Sequence, residues 1–296
     1  MASVQDLKRR IRSIRNTRKI TKALQLVAGA RLRKAQARIE AMRPYADTMR
    51  ELMEGVARAS SSVRNLPLLQ SRDVQTVAIV PLTGDRGLAG GFNAQVLRAS
   101  VALERRLRAE GKEVRWIVVG RKGDSSLRFR RYHVDATFEG FVDRPAYHDA
   151  QGVAHKLIEL YTDEQVDEVI VVYNAFVSPL VQRVTETTVL PISPEVLETD
   201  AEERKQDALR GDFIFEPEPE EILARLLPVY LETELYRALL ESAASFLGAQ
   251  MTAMSSASKN AGELVDRLTL AMNRARQAEI TQEILEVVAG ADALTG

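Results

Sequence analysis

Both ends of this chain carry an apolar repeat at alternating steps of three and four, and the middle does not. The first series begins Val4, Leu7, Ile11, Ile14, resumes at Ala28, Leu32, Ala35, Ile39 and Met42, and continues to Val56; Arg18, Thr21 and Gln25 interrupt it. The second runs from Tyr236 through Leu240, Leu247, Met254, Ala257, Ala261, Leu264, Leu268, Ala271, Ala275 and Ala278 to Ala289. Apolar positions every 3.5 residues, held over about seven heptads, are the pattern of helices that wind round one another. The first series predicts a helix over residues 3–60, roughly 85 Å long, and the second a helix over residues 220–289, roughly 105 Å long. Two such helices separated by a compact module imply a shaft on a globular foot. The surplus length of the second leaves part of it without a helical partner in the chain and free to meet another subunit.

Residues 74–192 change period. Stretches rich in Val and Ile at 74–82, 113–120, 168–177 and 183–192 read as strands, and residues 94–109 and 150–161 as helices. Strands alternating with helices predict an α/β layer with a largely parallel sheet. Residues 193–219 are acidic and contain proline, and read as a return loop. Glu216-Pro217-Glu218-Pro219-Glu220-Glu221 then signals a helix start, with proline and acids in the first turn. The division is a first helix over 1–60, a central α/β domain with its acidic loop over 61–215, and a last helix over 216–296.

Charge is balanced overall but not locally. Residues 1–38 hold twelve Lys and Arg against one acid, Asp6, while residues 195–222 hold eleven Asp and Glu against three basic residues. A zero net charge and few aromatics weaken a nucleic-acid reading, although a coiled-coil RNA-binding protein remains the rival class. With no cysteine, disulfides, thiolate metal sites and thiol catalysis are excluded. His133, His148 and His155 follow no metal-ligand spacing, and no apolar run approaches the ~20 residues a membrane helix needs. No cofactor, metal or catalytic residue is read from the sequence.

Three motifs carry a resemblance. The first helix contains Ile11-Arg12-Ser13-Ile14-Arg15-Asn16-Thr17-Arg18-Lys19-Ile20-Thr21-Lys22-Ala23-Leu24. The first strand leads into Asp85-Arg86-Gly87-Leu88-Ala89-Gly90-Gly91-Phe92-Asn93. The last helix contains Ala275-Arg276-Gln277-Ala278-Glu279-Ile280-Thr281-Gln282-Glu283, followed by Glu286 and Gly290-Ala291. Together, in this order, they resemble the gamma subunit of the rotary ATP synthase, over nearly the whole chain. Ala89 stands where many relatives carry cysteine and Leu24 where Met is common. The paired cysteines of the plant-type regulatory insert are missing, so thiol control is not expected.

The resemblance implies an antiparallel coiled coil of the terminal helices, turning inside a hexamer of alternating alpha and beta subunits, and a Rossmann-like α/β domain on the epsilon subunit and the membrane c-ring. It implies one copy per complex and a peripheral place on the cytoplasmic face of a bacterial plasma membrane. It implies ion flow, of protons or sodium, coupled to ATP chemistry on the beta subunits, with no complete active site on this chain. The positions matching the family's beta contacts are Arg276, Gln277, Thr281 and Glu283 on the last helix and Lys19, Lys22 and Leu24 on the first. Phe213 and Phe215 match the region that meets epsilon and the c-ring, or serve as core.

Each feature has a plainer reading beside it. Gly84, Gly87, Gly90 and Gly91 follow a strand and precede a helix, where phosphates bind, but match neither the dinucleotide fingerprint nor the P-loop. A tight turn using glycine's freedom at positive φ accounts for them. The basic first helix is a solvated face or a partner surface. The polar break at Arg18, Thr21 and Gln25 fixes register, marks where the helices loosen, or combines the two. The alanines of the second series allow close backbone approach or simply favour helix.

Overall fold

A computed structural model of the chain describes residues 3–58, 66–193 and 218–295. Helix α1 spans Val4–Arg58. Ser3 caps it: the Asp6 amide donates to Ser3 Oγ at 3.2 Å, and that hydroxyl donates to the Asp6 carboxylate at 3.0 Å. This satisfies one of the amides a helix start leaves open. The central elements are β1 (Thr76–Pro81), α2 (Phe92–Ala109), β2 (Glu113–Val119), α3 (Arg121–Phe129), β3 (Ala136–Phe138), α4 (Tyr147–Thr162), β4 (Glu168–Phe176) and β5 (Gln182–Leu190), and the last helix, α5, spans Pro219–Thr295. Pro219 takes the first helical position, where its missing N–H is not needed, and Glu220 and Glu221 face the positive end of the helix. Pro44 and Pro228 lie inside α1 and α5 without ending them. Each forfeits one backbone hydrogen bond, which burial of neighbouring side chains offsets.

The chain divides into two compact units, Gly29–Gln250 and the pair Met1–Ala28 with Met251–Gly296. The larger holds the sheet, in the order β3-β2-β1-β4-β5, with every pair parallel except β4–β5. Side chains alternate along β1, so both faces are apolar. Val77 and Ile79 pack against α2 and α3 with Val96, Leu103, Trp116 and Leu127. Ala78, Val80 and Leu82 face the other layer, with Val153 and Leu157 of α4. The same core takes in Met49, Met53 and Val56 of α1 and Leu223, Leu227 and Leu231 of α5. The late part of α1 therefore pairs with the early part of α5, which makes the helices antiparallel. Between Leu235 and Gly248 α5 is buried almost all round, because it packs on helix and sheet at once.

The four strands and two helices read from the sequence are present, with ends shifted by a few residues. Helix α3 and strand β3 are additions to that reading.

In the smaller unit the apolar seam of α1 holds. Leu7, Ile11 and Ala28 are buried, as is Thr21, and Val4, Ile14 and Gln25 are half-buried. The α5 seam shifts by one position. Met254, Ser258, Ala261 and Val265 are buried and Met272 and Ala275 half-buried, whereas Leu264 and Ala271, expected in the seam, are exposed. A straight helix at 3.6 residues per turn drifts from a strict heptad, and the drift carries Val265 and Met272 inward in their place.

Candidate functional site

In a doubly wound sheet a ligand enters where the strand order reverses, beyond the strands' carboxyl ends. Here that crevice, between β1 and β4, is filled from within. The Gly84 amide donates to Asn93 Oδ1 at 2.7 Å, the Gly123 amide to Thr83 Oγ1 at 2.9 Å, and the Arg121 amide to Asp85 Oδ1 at 3.1 Å. Asp85 Oδ2 also accepts from the Gly140 and Val142 amides, at 3.0 and 3.3 Å. These five amides are thus already bonded to side chains. Phe246 of α5 occupies the remaining space, edge-on to Phe92 with ring centroids 5.5 Å apart.

This also explains Gly84. A Cβ built on it would lie 2.8 Å from Phe246 Cε2. Positive φ, the reason expected for all four turn glycines, applies to Gly90 alone among them, at 56°, and non-glycine Leu88 beside it reaches 66°. Gly84 supplies room for a ring. On the far side of the same helix Gly248 lies against Pro179, a Cβ there falling 3.1 Å from the Pro179 carbonyl oxygen. Gln182 Nε2 fixes that corner by donating to the Ser178 and Pro179 carbonyls at 3.2 and 3.1 Å.

The polar break in the first seam is closely packed. Arg18 lies across Gly262, its Cζ 3.3 Å from where a Cβ would stand. Thr21 Oγ1 donates to the Arg18 carbonyl at 3.0 Å and is buried, as is Ser258 on α5. Gly262 of α5 thus leaves room for the Arg18 side chain of α1.

Counting outward from Arg18 and Gly262 in antiparallel pairing brings Val4 level with Arg276. Residues 276–289 of α5 therefore lie past the start of α1, and all of them are exposed. Arg276, Ile280, Glu283 and Val287 form one stripe at helical spacing; Gln277, Thr281, Ile284 and Val288 form the next. The Thr281 hydroxyl donates to the Gln277 carbonyl at 2.9 Å. Among the described residues the side chains of Arg276, Gln277 and Glu283 have neither a hydrogen bond nor an ion pair within the chain, so a local Arg276–Glu283 network is not what holds them. The apolar members, Ile280, Ile284, Val287 and Val288, range from 47 to 72 % exposed. The sequence reading missed these four because it sought only hydrogen-bonding groups. Their signal was present: apolar residues continuing at steps of three and four off the seam.

On α1, Lys8, Arg12, Arg15, Lys19 and Lys22 repeat at steps of four and three and are all exposed. Lys22 Nζ donates to Gln25 Oε1 at 3.2 Å. Leu24 is half-buried, and the stripe ends beside exposed Leu26. Phe213 and Phe215 lie outside the described residues.

A buried acid, Glu232, and a half-buried one, Asp143, stand out in the larger unit. Glu232 of α5 accepts from Tyr147 Oη at 2.8 Å and Gln151 Nε2 at 3.0 Å, with His155 Nε2 3.5 Å away. Burial, together with the Glu232 carboxylate, raises the Tyr147 phenol far above its ordinary range. Burial likewise pushes the Asp143 carboxyl up, against the pull of Arg86 at 3.4 Å, and leaves Asp143 Oδ1 without a hydrogen bond.

The sequence matches the family model described as ATP synthase over residues 3–294. It is 48 % identical to an ATP synthase gamma chain of Rubrobacter xylanophilus, over 99 % of each chain. It is 42 % identical to that of Nostoc punctiforme, over 100 % of each. A chain of the Euglena gracilis mitochondrial ATP synthase superposes with a TM-score of 0.69 at 17 % identity, covering 98 % of this chain and 94 % of that one. A chain from the central stalk and c-ring of the Tetrahymena thermophila mitochondrial ATP synthase gives 0.59 at 24 %, covering 81 % and 99 %. At such identities the structural likeness speaks for the fold alone. Among the described residues no helix is long and apolar enough to cross a membrane.

Proposed function

The chain belongs to the ATP synthase gamma chain family, whose role is that of rotor subunit in the central stalk, and from that premise we propose how its surfaces serve rotation. The exposed end of α5 is the bearing. Its two stripes seat in the ring of alpha and beta subunits: Ile280, Ile284, Val287 and Val288 supply apolar contact, and Arg276, Gln277, Thr281 and Glu283 supply directional bonds to the beta subunits. The carrying observation is that this segment lies past the start of α1 with its apolar residues bare, a pattern that soluble surfaces keep for interfaces.

The cationic stripe of α1, with Lys19 and Lys22, faces acidic surface of the same ring. Exposed charges act over ~8–10 Å at ordinary salt, which suits guidance better than tight attachment. Leu24 joins this surface through its half-exposed side. The segment holding Phe213 and Phe215 contributes to the contact with epsilon and the c-ring, one copy of the chain serving each complex. The chain works peripherally at the membrane, on the cytoplasmic face, and holds no active site of its own; Phe246 and the side-chain acceptors in the switch-point crevice support that reading. Family membership displaces the RNA-binding alternative.

The test is the Gln277→Ala, Thr281→Ala double variant, reconstituted with alpha and beta subunits. Each directional bond lost weakens the contact about fivefold, at ~1 kcal/mol per hydrogen bond. ATP turnover and torque both fall if these side chains transmit force. Unchanged turnover and torque remove the bearing role from this face.

A further inference from the structure

In the larger unit a cleft of about 810 Å³ opens between α1, the turn that leads into α4, and α5. Arg38, Met42 and Tyr45 line it from α1, Arg144 and Tyr147 from the turn and the first residue of α4, and Tyr236 from α5. None of its lining residues is acidic.

The two cations are unspent. Neither guanidinium, of half-buried Arg38 or exposed Arg144, takes part in an ion pair or hydrogen bond among the described residues. The nearby acids are already engaged: Asp143 with Arg86 at 3.4 Å, and Asp149 as acceptor for the Ala146 amide at 2.7 Å. The tyrosines are fixed rather than loose. Tyr147 and Tyr236 meet edge to face at 5.7 Å and 84°, and Tyr147 is anchored by its bond to Glu232 at 2.8 Å. Tyr45 at the rim keeps 49 % of its surface exposed, and the hydroxyls of Tyr45 and Tyr236 make no hydrogen bond among the described residues.

A planar guanidinium fork matches phosphoryl oxygens two at a time. A phenol ring offers a flat face to a base, worth about 1–3 kcal/mol where stacking occurs. A basin of several hundred cubic ångströms suits a ligand of that bulk. We propose that this cleft is a binding site for a nucleoside polyphosphate, the phosphates on Arg38 and Arg144 and the base against Tyr45 and Tyr236. It lies apart from the crevice that Phe246 fills, and it does not depend on the rotor reading.

The test is calorimetric titration of the purified full-length chain with ATP, inorganic triphosphate and adenosine in turn. The expected result is saturable ATP binding in the sub-millimolar range. The Arg38→Gln, Arg144→Gln double variant should weaken it about tenfold or more, as loss of charge-assisted bonds of 1.5–3 kcal/mol requires. Tyr45→Ala should weaken ATP by about tenfold and leave inorganic triphosphate unchanged. Both sets of side chains border solvent, and circular dichroism checks the fold; if the arginine pair destabilises the chain, Tyr45→Ala carries the comparison. No saturable ATP binding, equal binding of ATP and inorganic triphosphate, or ATP affinity indifferent to Tyr45 each overturns the assignment.

Discussion

Adding one methyl group at Gly84 measures how tightly α5 is keyed into the sheet. In Gly84→Ala the new Cβ would stand 2.8 and 3.0 Å from two carbons of Phe246 and 3.3 Å from the Arg86 carbonyl oxygen. Carbon atoms prefer 3.5–4.0 Å, so something must move by most of an ångström. Phe246 has little room: it is 2 % exposed and backed by Phe92. Such overpacking costs about 1–3 kcal/mol. Removing a glycine from the unfolded chain returns about 0.4–1 kcal/mol, which leaves a net loss of about 1–2 kcal/mol. For a unit of some 200 residues that lowers Tm by about 2–8 °C. Phe246→Leu alone leaves part of a cavity and is also destabilising. The two together should lose less than the sum, because the smaller side chain makes room for the methyl. Thermal melts of the four proteins, followed by near-ultraviolet dichroism, complete the cycle. Additive losses, or a Gly84→Ala protein as stable as the parent, refute the keyed contact.

Gly262→Ala should behave in the opposite way. The atoms nearest its new methyl belong to the Arg18 guanidinium, the first at 3.3 Å, and alanine favours a helix interior by up to about 1 kcal/mol; Tm should hold or rise, and a clear fall would show that Arg18 cannot move aside. Glu232→Ala leaves the Tyr147 hydroxyl and the Gln151 amide without their acceptor; a loss of about 2–6 kcal/mol is expected in urea melts, at 1–3 kcal/mol per abandoned group. Asp143 has a raised carboxyl pKa through burial. Its contribution to stability is therefore fully present below the unfolded value near 3.9 and is lost as pH rises through the higher folded value. Asp143→Asn escapes that loss and gives up only a pairing with largely exposed Arg86, so its Tm should gain on the parent from pH 4 to 7. A variant Tm that falls relative to the parent over that range contradicts the assignment.

Much of the fold was written in periodicity. The α1 seam survives because Leu7, Ile11, Leu32, Met42, Met49, Met53 and Val56 face inward on one helix stripe. The strands of the sheet centre were readable because both faces are covered, which makes β1, β2 and β4 nearly continuous apolar runs. Helix α3 escaped notice because its nine residues contain Gly123 and two serines and bury only Gly123 and Leu127. That glycine is needed for contact, since a Cβ there would fall 2.7 Å from Thr83 Oγ1. Strand β3 has three residues and no fully buried side chain, too short to show a period. The slip from Leu264 to Val265 came from extending a heptad along a helix that does not follow it.

The candidate site was legible in part. Its hydrogen-bonding residues stood in the motif near the end of α5, but the bare apolar stripes beside them show only once the end of the pairing with α1 is known. The place of Phe246 was hidden for a different reason. Its partners Gly84 and Phe92 are more than 150 residues away in sequence, and no local pattern links them.

Rotation of this chain relative to alpha and beta subunits can be watched directly. The chain has no cysteine, so Phe129→Cys, at a side chain 89 % exposed, gives a unique point for attaching a bead while the hexamer is fixed to glass. With ATP present, the bead should turn in one direction in discrete steps. Sustained ATP hydrolysis by the same assemblies with the bead standing still, or wandering without direction, contradicts the account.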